Sequence, residues 1–126
     1  MRWVLTVILG LHGLIHLMGF AKAFGLAQLE ALKQPVSRPL GVLWLIAGVL
    51  VLVAATLRPS LWPISALALV LSQAVIITSW SDAKSGTLAN VALLGVVAWG
   101  FAAEGPLGLR ADYRRDVDTE EKQVSA

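Results

Sequence analysis

The chain has 126 residues, 57% of them hydrophobic and only 14% charged, with a formal net charge of +2 and a mean hydropathy of +0.76. Soluble domains carry about 25% charged residues, so this much apolar surface does not fit inside one small core, and lipid is the expected solvent. Zero cysteines exclude disulfides, thiolate metal sites and cysteine nucleophiles, and ten dispersed cations against eight anions leave no basic patch for nucleic acid.

Four apolar runs follow in order, residues 3–20, 40–57, 61–80 and 88–103, the second and third containing no charged residue. Each is about 16 to 20 residues, which at 1.5 Å per residue covers roughly 24–30 Å, close to a bilayer core. The expected fold class is therefore all-α: an integral membrane four-helix bundle over residues 1–104. Met1-Arg2 before the first run and Ala21-Lys22-Ala23 after it outline a signal peptide. The run is longer than a usual signal core and holds two histidines, so a retained first helix is expected.

Between the first two runs, Leu26, Leu29 and Leu32 recur at i, i+3 and i+6 over residues 25–34. That spacing predicts a short amphipathic helix lying in the interface, ended by Pro35. The brief Arg58-Pro59-Ser60 link makes helices two and three antiparallel neighbours, and the polar link 81–87 does the same for three and four. Residues 105–126 alternate basic and acidic side chains and read as a solvated, partly disordered tail.

With four spans both termini share a side. Arg2, Arg58, Arg110, Arg114 and Arg115 lie there, against Lys22, Lys33, Arg38 and Lys84 on the other, which favours cytoplasmic termini. Trp3, Trp62 and Trp99 toward one side, and Trp44 and Trp80 toward the other, fit interfacial belts.

The only two histidines, His12 and His16, stand four residues apart in the first run. On a helix they lie one turn apart on one face. Gln73, Asn90 and Asp82 fall in the same half of the membrane, with Lys22 near that end of helix one. Polar groups in lipid are costly and face the interior, so these six are candidates for a pocket opening away from the termini.

Three chemistries compete for it. Neutral His, Gln and Asn can clamp helices together by hydrogen bonds. His12 and His16 can hold a transition metal or haem, with Asp82 as a third ligand, although Gly13 stands where a helical metalloprotease motif has Glu. A histidine can also exchange protons with a quinone headgroup. Lys22 is expected to snorkel or to neutralise an anion near His16, and Asp82 with Lys84 to form a solvated loop pair. The small residues Ala68 and Ser72, one turn apart, suit close helix contact.

Gly19, Lys22, Phe24 and Gly25 after the first run, Ala47-Gly48 in the second and Gly105-Pro106 after the fourth resemble the DoxX-like family of small bacterial four-helix membrane proteins. The resemblance runs over most of residues 5–112. The block Trp80-Ser81-Asp82-Ala83-Lys84 is similar to one in uncharacterised bacterial membrane proteins. A DoxX-like identity implies a bacterial inner-membrane protein, with membrane or redox proteins as partners and quinone-linked or oxidative-stress roles among relatives. His12 and His16 are not part of that family pattern, and no catalytic residue is carried over.

The expectation is a non-enzymatic accessory or complex-forming membrane subunit whose pocket takes a quinone or other small ligand. The runner-up is a membrane redox enzyme or metal- or haem-binding protein with His12 and His16 as ligands. A transporter is disfavoured, since the sequence has neither an inverted repeat nor a helix broken in mid-membrane.

Overall fold

A computed structural model of the chain describes residues 1–30 and 32–126, and of Leu109 the backbone only. The described elements are α1 (Arg2–Ala23), α2 (Arg38–Ala54), a 3-10 turn (Pro59–Leu61), α3 (Trp62–Thr78), the single turn α4 (Trp80–Ala83), α5 (Gly86–Glu104) and α6 (Leu109–Ser125). No strand occurs among the described residues. Three stretches are long and apolar enough to cross a membrane: Arg2–Ala23, Pro59–Thr78 and Gly86–Glu104, with 22, 20 and 19 residues. α2 is also apolar but has 17 residues.

The helix ends follow local chemistry. Ser37 precedes α2 and its hydroxyl accepts the Leu40 N–H at 3.3 Å, while a proline occupies the first turn, where a missing N–H costs nothing. After α2 the chain turns at Leu57, whose φ of 55° is the only left-handed non-glycine value among the described residues. That conformation costs roughly 1–2 kcal/mol for an L-residue. Leu57 is nevertheless buried, in a cluster with Leu9, Val51, Ala54, Ala68, Leu93 and Val96. Burying a leucine contributes roughly 1.5–3 kcal/mol, so packing outweighs the strain.

α1 packs on α2, α2 on α3, and α3 on α5, which returns to touch both α1 and the Pro59–Leu61 turn. The α1–α2 contact depends on Gly13 and Gly48. A Cβ on Gly48 would stand 3.0 Å from the Gly13 carbonyl oxygen, and one on Gly13 would stand 3.2 Å from that of Gly48. Backbones approach this closely only where side chains are absent.

One apolar cluster, around Leu9, Val51 and Leu93, fills the end near the termini. A second, of Trp44, Ala47 and Val75, fills the other end, with Val36 and Leu40 packed against it. Buried polar residues His12, His16, Ser72 and Asn90 belong to the same interior.

Two expectations are corrected. Residues 25–34 form no interfacial helix: around residue 31, which lies outside the described residues, the chain is turn and irregular structure. A ten-residue helix is marginal on its own, and here Lys22 and Asp82 take the backbone groups of Leu32 and Gln34 instead. The tail, expected to be partly disordered, holds the 17-residue α6. From Asp112 onward its residues are exposed, and no Gly or Pro interrupts the chain after Gly108. Arg115 lies 3.6 Å from Asp112 one turn away.

Candidate functional site

Both imidazoles turn inward. His12 is 4% exposed and His16 only 1%, with ring centroids 4.7 Å apart, edge to face. Their Nε2 atoms converge on one hydroxyl: Ser72 Oγ on α3 is 3.1 Å from His12 Nε2 and 2.7 Å from His16 Nε2. Asn90 on α5 completes the group, its Oδ1 3.0 Å from His12 Nε2 and 2.9 Å from Ser72 Oγ. Asn90 Nδ2 donates to Gln73 Oε1 at 2.9 Å, and Gln73 Nε2 donates to Thr87 Oγ1 at 3.3 Å.

The network assigns its own hydrogens. Because Asn90 Nδ2 is used on Gln73, its Oδ1 faces His12 and Ser72, and an amide oxygen only accepts. In this orientation of the Asn90 and Gln73 amides, His12 carries a hydrogen on Nε2. Ser72 donates to Asn90 Oδ1, so the short contact from His16 is an Nε2–H donated to the Ser72 oxygen. His16 Nδ1 is left as a bare acceptor, and it is buried without a partner among the described residues.

Trp44 on α2 is the complement. Its ring lies 5.1 Å from that of His16, it is 2% exposed, and its Nε1–H is likewise buried and unpartnered among the described residues. An unpaired acceptor and an unpaired donor thus sit side by side in a setting where each costs about 1–3 kcal/mol. Both residues line a cavity of about 370 Å³. The remaining wall is mainly apolar and includes Ile8, Leu11, Ile15, Ile76 and Ala89, with Leu32, Asp82 and Ser85 also on it. Leu11 and Ile15 are 57% and 55% exposed, so the cavity meets the outer surface of the helices.

The structure therefore joins four of the six candidates, His12, His16, Gln73 and Asn90, in one network. Lys22 and Asp82 are outside it. Lys22 Nζ donates to the carbonyls of Leu32 and Gln34, the latter at 2.6 Å. Asp82 Oδ2 accepts the Gln34 N–H at 2.7 Å. Asp82 is thus no solvated partner of Lys84, and Lys22 serves the backbone rather than an anion. Together they strap Leu32 against the cavity.

The metal and haem expectations do not fit these residues. Among the described residues no group of three His, Cys, Asp or Glu could hold a metal ion, and Asp82 is spent on Gln34. Two histidines on one face of one helix, both turned to Ser72, cannot bracket a haem plane.

Sequence reading missed Ser72, taken only as a small residue for helix contact, and Trp44, taken as part of an interfacial belt. A serine in an apolar helix one turn from Ala68 gives no separate signal. Trp44 is buried against Gly19, where a Cβ would strike its ring, a contact between helices that gives no local signal in the sequence. Comparison with known proteins finds no matching family model, curated protein or solved structure.

Proposed function

We propose that the chain is a four-span protein of the bacterial inner membrane, with cytoplasmic termini, that binds a small neutral lipid-soluble ligand beside His16 and Trp44. α2 counts as the fourth span in this reading because its apolar sequence continues to Leu57 and it packs between α1 and α3. The DoxX-like resemblance points to the same membrane, and the arginines near the termini favour that orientation.

One observation carries the ligand: Trp44 and His16 line the cavity, and the indole N–H of the one and the Nδ1 of the other are buried just behind its wall with no partner among the described residues. A ring carbonyl accepts from the first, a ring hydroxyl donates to the second, and a quinone–quinol head offers both groups. The apolar wall suits its tail. In this reading the chain presents the ligand to a partner membrane or redox protein.

The test is extraction of the purified protein into organic solvent, followed by chromatography and mass analysis. About one equivalent of a quinone-type lipid is expected, lost when Ala89→Phe fills the cavity. Trp44→Phe, which keeps the ring and removes the donor, should weaken binding about tenfold, the effect of one hydrogen bond of about 1.4 kcal/mol. An extract free of ring lipids, together with no binding of added quinone in nanodiscs, would overturn the reading.

A further inference from the structure

α6 stands apart from the pocket. From Asp112 onward its side chains are exposed, and three apolar ones, Tyr113, Val117 and Val124, are 72%, 42% and 88% exposed. At about 100° per residue these three fall within roughly 40° of one another on the helix surface. They form a stripe of the a/d kind that a helix normally buries against another helix.

The charges beside that stripe are unevenly placed. From residue 110 to 115 there are three arginines and one aspartate; from 116 to 122 there are four acids and one lysine. The basic half is at the helix N-terminus and the acidic half toward its C-terminus, opposite to what the macrodipole favours. Only Asp112 in the first turn and Lys122 in the last have the favourable sign. A lone, solvated 17-residue helix with this arrangement is marginal. Arg110 is held by Glu104 and Arg115 by Asp112 and the Pro106 carbonyl. Arg114 has no acidic partner among the described residues, and neither Glu120 nor Glu121 has a basic one.

We propose that α6 pairs with α6 of a second copy of this chain, antiparallel, through the Tyr113–Val117–Val124 stripe. Antiparallel pairing brings the basic half of each helix against the acidic half of the other, with Arg114 across from Glu120 and Glu121, and Tyr113 across from Val124. Parallel pairing would set arginines against arginines. Val117 lies near the centre, where the two-fold axis passes. Two copies in one bilayer are related by an axis along the membrane normal, so the pair lies along the membrane surface.

The absence of cysteine makes the test direct. In nanodiscs or dilute proteoliposomes, full-length Val117→Cys should give a disulfide-linked dimer on mild oxidation. Val124→Cys alone should stay monomeric, and Tyr113→Cys mixed with Val124→Cys during co-expression should cross-link. Arg114→Glu should reduce the Val117→Cys dimer at least fivefold, and Arg114→Glu with Glu120→Arg should restore it. Three results would overturn the proposal. One is a monomeric Val117→Cys, and another is efficient cross-linking of Val124→Cys to itself. The third is a blue-shifted Tyr113→Trp emission that depends on anionic lipid rather than on protein density, which would make the membrane surface the partner.

Discussion

His16 Nε2 and Ser72 Oγ are 2.7 Å apart, and through this contact and its longer neighbour from His12 the first helix is tied to the third. Ser72 serves two imidazoles and one amide at once, so it is the residue on which the polar layer converges. Ser72→Ala should strip both Nε2–H groups of a shared acceptor and cost about 1–3 kcal/mol. Ser65 is equally buried but makes no side-chain bond to this group, and Ser65→Ala should change stability by less than about 0.5 kcal/mol. Thermal unfolding of the two variants in the same detergent checks the difference.

Asn90 is oriented with its amine on Gln73 and its oxygen on His12 and Ser72. Asn90→Leu leaves three polar side chains short of a partner, whereas Asn90→Asp, protonated in this buried setting, keeps an acceptor for His12 and Ser72 and offers its hydroxyl to Gln73. The leucine variant should be the less stable by about 1–2 kcal/mol at neutral pH. Urea titration in mixed micelles measures it, and equal midpoints would mean that the amide orientation carries no weight.

The contact of Gly13 with Gly48 predicts a sign difference between two glycines of α1. At Gly13 an added Cβ meets Leu52 Cγ at 2.7 Å and the Gly48 oxygen at 3.2 Å. Gly13→Ala should separate α1 from α2 at a cost of about 1–3 kcal/mol. At Gly10 nothing lies within 4 Å, and Gly10→Ala should stabilise by about 0.5–1 kcal/mol through helix propensity alone. Melting temperatures shifting in opposite directions confirm both.

The strap over the cavity gives a local prediction. Asp82→Ala removes the acceptor for the Gln34 N–H, a bond to a charged group worth about 1.5–3 kcal/mol. Hydrogen exchange at Gln34 should speed up about tenfold or more, while amides in α1 and α3 keep their protection. Exchange that rises everywhere would mean that Asp82 supports the whole fold instead.

Much of the outline was legible because the relevant signals are local. The apolar runs set the helices to within a few residues, and the i, i+4 spacing of His12 and His16 put both rings on one face before any partner was known. Gln73 and Asn90 could be matched to them by depth along the helices alone. What escaped depends on tertiary choices. Trp44 and Trp80 look alike in sequence, yet one is buried against Gly19 while the other is half exposed. The leucines of residues 25–34 have helical spacing, but a helix this short is marginal, and tertiary bonds fix its end instead, Asp82 taking the Gln34 N–H and Lys22 the Leu32 and Gln34 carbonyls.

The Leu32–Gln34 segment is held from two helices at once, by Lys22 on α1 at the Leu32 and Gln34 carbonyls and by Asp82 on α4 at the Gln34 N–H, whereas Leu11 and Ile15 leave the flank of the same cavity uncovered. In the proposed membrane setting, access to the histidines differs by phase: the aqueous side is closed by the fastened segment, while a molecule already dissolved among acyl chains meets the open flank. Any assay that offers its compound only from the buffer would be knocking on the wrong side.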